Sequence, residues 1–195
     1  MTSWRRTVLM GDPSHFSVQG GANPHTRTWL GTRRSVDRGR AVEQWRRLRD
    51  VLRDHGLRVV VLPADPGQPG LVYPANAGFL LPLDAEKPPF EKHFFLSNLI
   101  ATRAGERAHY DRVVRATGFR TAAVPEHLRF EGEADFFPAG AVHLLTHGRL
   151  EEQRFVANLG IPPWKRVYGF RTDARVESFL APLVAPRPVL RIELV

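Results

Sequence analysis

The chain has 195 residues, 43% of them hydrophobic and 25% charged, with no cysteine and a formal net charge of +8. That length supports one domain with its own core, and the missing cysteine excludes disulfides, thiolate metal sites and a cysteine nucleophile drawn from these residues. No apolar run is long enough to span a bilayer and the N-terminal apolar core Val8-Leu9-Met10 is too short for a signal peptide, so a cytoplasmic location is expected.

Residues 7–10 form a short apolar run and predict a buried strand. Residues 11–25 are a polar loop punctuated by glycine and proline, carrying Phe16 and Asn23. Residues 36–55 place Val36, Ala41, Val42, Trp45, Leu48, Val51 and Leu52 at helical spacing, and Gly56 is a suitable stop. Residues 57–62 then predict a strand ending at Pro63. A second round follows: strand, tight turn and strand over 71–81, a strand over 93–100, a helix over 105–117 stopped by Gly118, and a strand over 119–124. In the third, a strand over 128–137 and its neighbour over 141–146 precede helix-like spacing over 149–165, a helix over 173–183 and a closing strand over 188–195. The chain thus reads as a single α/β domain over 1–195, in three rounds of strand, strand, helix, strand over about 1–63, 64–125 and 126–195. Periods of that size point to a propeller-like or stacked array.

Two clusters of charge stand out. Of the 28 basic residues 25 are arginine, and their densest group, Arg33 to Arg58, falls mostly around the polar face of the first helix. A solvated helix accounts for that group, since the interleaved aromatics of a single-strand binder are missing; a basic nucleic-acid-binding module is a further alternative. The second cluster is acidic: Glu131, Glu133 and Asp135, separated by Gly132 and Ala134 and bracketed by phenylalanines. In an extended segment the three carboxylates share one face, where they repel. Either that face is a wet edge, or it serves a cation such as a guanidinium, an ammonium or a metal. There is no two-histidine helical motif, no Gly-x-Ser-x-Gly elbow and no phosphate-cradling glycine loop. No metal and no cofactor are expected.

Several motifs in order resemble the guanidino-group-modifying (pentein) superfamily, and most of all a bacterial amidinotransferase or a dimethylargininase-like hydrolase. They are Val8-Leu-Met with Pro13, Phe16, Val18 and Asn23-Pro24; Tyr73-Pro-Ala-Asn-Ala-Gly-Phe79; Leu96-Ser97 with Arg103-Ala-Gly-Glu106 and His109-Tyr110; Phe130-Glu-Gly-Glu-Ala-Asp135; and Tyr168-Gly-Phe-Arg-Thr-Asp173. The resemblance implies an α/β-propeller of five ββαβ units around a polar channel, about three of them present in this chain. It implies a hydrolase or amidinotransferase acting on the guanidino group of arginine or methylated arginine through a cysteine thiouronium intermediate. Carried over position by position, Glu131 and Asp135 match the family's acidic pair. Dimethylargininases space that pair one residue closer, which leaves the division of roles between the two acids open. Asn76 falls where relatives carry an aspartate or asparagine near the substrate, and Arg171 matches an arginine that contacts the substrate carboxylate. Phe16 and Asn23 lie on the loop that covers the site. Arg103 lies near a second carboxylate-binding arginine, although many relatives have two arginines where this chain has Arg103-Ala104.

The family's histidine motif and its later cysteine are not in these residues. The chain therefore reads as an N-terminal portion, a split-enzyme half or a pseudoenzyme, and alone it is expected to be inactive. Its expected partners are a small guanidino substrate and a complementary C-terminal chain, with nucleic acid and membrane disfavoured. A non-catalytic subunit that binds a guanidino ligand is the first alternative.

Overall fold

The computed structural model describes residues 7–18, 28, 32, 34–84, 87–150, 154–157, 164–167 and 169–194, without the side chains of 154–157 and 164–167. Strand β1 (Thr7–Gly11) runs parallel to β2 (Arg58–Leu62), Val8 beside Val59 and Met10 beside Val61. Between them lies helix α1 (Arg38–Asp54), capped by the Asp37 side chain, which accepts from the Arg40 N–H. Gly56 ends the helix region with φ +76°, as a stop residue should. No α1 residue is fully buried, and Leu48 and Val51 of the expected apolar stripe are 54% and 52% exposed.

The second sheet joins β3 (Gly78–Leu81), β4 (His93–Leu96) and β5 (Arg120–Ala123) in that order. β3 is antiparallel to β4, and β4 is parallel to β5 across helix α2 (Glu106–Ala116). The third sheet repeats this arrangement. β6 (Phe136–Ala139) is antiparallel to β7 (Val142–His147), which is parallel to β10 (Val189–Glu193) after helix α3 (Glu177–Val184). Both sheets therefore realise strand, strand, helix, strand. Among the described residues the first unit has only strand, helix, strand.

Three local expectations change. The first strand expected within 71–81 does not form, because Leu71 and Val72 end a 3-10 turn, Pro69–Val72; the expected tight turn is present as a second 3-10 turn, Pro74–Asn76, and each turn is begun by a proline whose ring fixes φ and removes a donor. Where helix-like spacing was expected over 149–165, the described residues carry instead β8 (Arg154–Ala157) and β9 (Trp164–Val167), an antiparallel pair; the sequence between them holds Gly160, Pro162 and Pro163, all poor helix formers. The acidic stretch is not a strand either. Gly132 takes φ +67° and opens a 3-10 turn, Gly132–Ala134, so extended geometry starts only at Phe136.

The largest core cluster packs Phe79, Phe130, Phe136, Leu145, Val176 and Leu180 from the second and third units. Phe79 meets Phe130 and Phe136 edge-on, at centroid distances of 5.6 and 5.2 Å, a favoured aromatic arrangement. A second cluster, including Leu62, Leu71, Leu96, Leu99 and Tyr110, joins the first unit to the second. The acidic turn is anchored between these clusters.

Candidate functional site

Four segments converge on Glu131. Its backbone is set by Phe130, which exchanges two 3.1 Å hydrogen bonds with Asn98. At Gly132 the chain passes so close to the 74–78 turn that an added Cβ would lie 2.7 Å from Gly78 N and 2.8 Å from Ala75 O. That approach and the left-handed φ explain the glycine. They also bring Asn76 to Glu131: the Asn76 amide donates to Glu131 Oε2 at 3.1 Å and to its carbonyl at 3.3 Å. Arg171 Nη1 donates to Glu131 Oε1 at 3.1 Å, and Arg103 Nη1 stands 4.0 Å from the same oxygen. Glu131 is buried, and ion pairing with hydrogen bonding is what a buried carboxylate requires.

Asp135 sits on the other side of the turn. Thr146 Oγ1 donates to its Oδ1 at 2.7 Å, and Thr172 Oγ1 donates to its Oδ2 at 2.5 Å. The same Thr172 hydroxyl accepts from the Glu131 N–H at 3.1 Å, so one buried threonine links the two acids. Among the described residues the partners of the Asp135 carboxylate are neutral hydroxyls, and no lysine or arginine is paired with it.

Glu133 does not join the other two. As a residue it keeps solvent exposure, and among the described residues it shares no hydrogen-bond partner with Glu131 or Asp135. The protein mass around it raises its carboxyl above the ordinary glutamate value, against a hydrogen bond from the Leu80 N–H. The three carboxylates thus have three separate sets of partners, because the glycine turn replaces the alternation of a strand.

Arg103 comes from the 3-10 turn Ala101–Arg103, just before α2. It is clamped by Glu106, with Nε donating to Oε1 and Nη2 to Oε2, both at 2.7 Å. Burial works against its charge, but the hydrogen bond and charge of Glu106, then Glu131 and Tyr110, hold the guanidinium above its ordinary value. Tyr110 donates to Glu106 Oε2 at 3.0 Å. Burial, then the Glu106 carboxylate, push its phenol far above the usual range. Phe16 lies beside the site, edge-on to Tyr73 at 5.7 Å, and its carbonyl accepts from Arg38 Nε at 3.2 Å.

The structure therefore brings together Glu131, Asn76, Arg171 and Arg103. It ties Asp135 to them through Thr172 and sets Phe16 near Arg103 by way of Tyr73. Asn23 lies outside the described residues. Sequence reasoning gives no role to Thr172 or Glu106. For Glu106 a signal existed: it shares the buried i, i+4, i+8 stripe of α2 with Tyr110 and Val114, and a charge on such a stripe needs a partner. Among the described residues no group of three metal-ligating side chains occurs, and no helix is long and apolar enough to cross a membrane.

No family model matches the chain. It is 34% identical over 136 residues to the bifunctional arginine dihydrolase/ornithine cyclodeaminase AgrE of Nostoc sp., a match spanning 69% of this chain and 17% of that protein. It is 28% identical over 190 residues to the N(G),N(G)-dimethylarginine dimethylaminohydrolase of Mycobacterium tuberculosis, spanning 97% of this chain and 51% of that protein. In fold it is similar to unliganded AgrE, with a TM-score of 0.73 at 26% identity, covering 100% of this chain and 24% of that one. The chain thus spans about half the length, or less, of these curated relatives. With likeness in sequence over most of its length and in fold over all of it, the chain belongs to the guanidino-group-modifying, or pentein, superfamily.

Proposed function

We propose that this chain carries the guanidinium-holding part of a hydrolase or amidinotransferase acting on the guanidino group of arginine or a methylated arginine. The observation that carries this is the unequal state of the two acids. Glu131 already has Arg171 on one oxygen and Asn76 on the other. Among the described residues the Asp135 carboxylate is bonded only by hydroxyls, which leaves it without a cationic partner of its own. On this reading Asp135 takes the substrate guanidinium, Glu131 orients Arg171, and Arg171 with Arg103 takes the substrate carboxylate. A planar, cationic guanidinium suits a carboxylate bidentately, which fixes its central carbon for attack. The units then form part of an α/β-propeller around that site.

The chemistry needs a thiolate, and this chain has no cysteine. A complementary segment or chain supplies the cysteine and the proton-moving histidine. The thiolate adds to the guanidinium carbon, the amine leaves with a proton, and water or an acceptor amine then displaces the sulfur. The relatives named as a dihydrolase and a dimethylaminohydrolase support water as the acceptor. Calorimetric titration of this chain with L-arginine and dimethylarginine tests the site: saturable binding that Asp135→Asn abolishes is expected, and no binding by the wild type contradicts it.

The missing cysteine also favours a second reading, a non-catalytic subunit that binds the same ligand. Mixing with a cysteine-bearing complementary chain separates the two: turnover supports the first, and binding without turnover supports the second.

A further inference from the structure

The arm that presents Arg103 is built around a carboxylate that the proposed chemistry does not use. Glu106 is 1% exposed. Its two oxygens take two of the three guanidinium nitrogens of Arg103, at 2.7 Å each, and the Tyr110 hydroxyl at 3.0 Å. Gly70 closes the arm from the other side. Its carbonyl accepts from Arg103 Nη2 at 3.3 Å, and a Cβ there would lie 2.0 Å from Glu106 Oε1 and 2.9 Å from Arg103 Nε. The Tyr73 ring lies 6.0 Å from the guanidinium carbon, within cation–π range. The third nitrogen, Nη1, faces Glu131 Oε1 at 4.0 Å, too far for a hydrogen bond.

We propose that Glu106 is the positioning residue of this site: by holding Arg103 through two nitrogens it keeps the third short of Glu131 and open to the carboxylate of an amino-acid ligand. The inference rests on the reading of the site as one for a guanidino amino acid. Two arginines otherwise compete for one buried carboxylate. Without the charge of Glu106, the nearest anion for Arg103 is Glu131 Oε1, already bound by Arg171. Arg103 then moves onto Glu131, and the open edge closes. Arginine is suited to this use because its rigid fork can satisfy one carboxylate along one edge and present another.

The test uses the full chain and two ligands, L-arginine and methylguanidine, which lacks the carboxylate. Glu106→Gln is expected to weaken L-arginine binding about tenfold or more and methylguanidine binding less than about threefold. Tyr110→Phe, which removes the 3.0 Å bond to Glu106 and a long 3.5 Å contact with the Tyr73 carbonyl, shifts the ratio in the same direction by about two- to threefold and serves if Glu106→Gln does not fold. Equal losses for both ligands, or no loss for either, overturn the proposal. A ligand-free readout accompanies these: the Arg103 Nε–H resonance, identified by its absence in Arg103→Lys. Slow exchange in the wild type and fast exchange in Glu106→Gln support the held fork; fast exchange in the wild type overturns it. If the wild type binds neither ligand, the guanidino reading fails, and that resonance still decides whether Glu106 holds Arg103.

Discussion

Replacing Thr172 with valine removes one hydroxyl and almost nothing else. The two side chains have nearly the same shape, so no cavity opens at this buried position. Two interactions go. The Glu131 N–H loses its 3.1 Å acceptor, and a buried unsatisfied amide costs about 1–3 kcal/mol. The Asp135 carboxylate loses its 2.5 Å donor, and a hydrogen bond to a charged group contributes about 1.5–3 kcal/mol. Thr146 still holds the other oxygen of Asp135, so the combined loss should fall at about 2–4 kcal/mol. Thr172→Ser keeps the hydroxyl and loses a methyl group, at about 1 kcal/mol. Urea unfolding of the wild type and both variants, at equal slope, reads these values directly. If the valine variant lies within about 1 kcal/mol of the serine variant, the hydroxyl does not bridge the acids and the account of the site is wrong.

Three further substitutions probe other parts of the account. Gly132→Ala should destabilise by about 2–5 kcal/mol, summing the left-handed backbone cost and a clash with backbone atoms of residues 75 and 78. Gly140→Ala, also left-handed but with no atom within 4 Å, should cost only about 1–2 kcal/mol, and equal thermal shifts in the two would contradict the close-approach argument. His143 is buried against Phe136, and among the described residues neither ring nitrogen has a hydrogen-bond partner. Burial, then Arg187, lower its pKa below the usual 6.5. The unfolded chain therefore takes up a proton near pH 6.5 that the folded protein resists, so stability is full above that pH and falls below it. Relative to His143→Leu, the wild type should lose up to about 1.4 kcal/mol per pH unit in that window, and parallel pH profiles would show the ring to be solvated. In an assembled, active enzyme Asp135→Asn should lower kcat/KM by about 10²-fold or more, and an unchanged value would make this acid structural.

Much of the scaffold was legible because it depends on short-range pattern. The apolar runs of β1 and β2 and the glycine stops at Gly56 and Gly118, with φ +76° and +94°, mark elements that need no distant partner to be recognised. What was not legible depends on contacts far along the chain. The acidic stretch has the alternation of a strand, but the turn at Gly132 is fixed by the 74–78 segment packed against it. Leu71 and Val72 read as a strand because they are apolar, and the burial of Leu71 against the first unit explains their compact form, whereas the turn at Pro74 was legible from its proline, asparagine and glycine. Residues 149–165 show helical spacing, yet among the described residues 154–157 and 164–167 pair as two antiparallel strands. The acids, Asn76 and Arg171 were each visible as residue types; their sharing of one carboxylate, 40 and 55 positions apart in sequence, was not.

The central claim is that Asp135, not Glu131, receives the guanidinium. A crystal structure of this chain soaked with L-arginine tests it most directly. The account predicts guanidinium nitrogens about 3 Å from the Asp135 carboxylate, with Arg171 still on Glu131 and the ligand carboxylate turned towards Arg103 and Arg171. A guanidinium bound at Glu131 with Arg171 displaced, and Asp135 left to its two threonines, would contradict it.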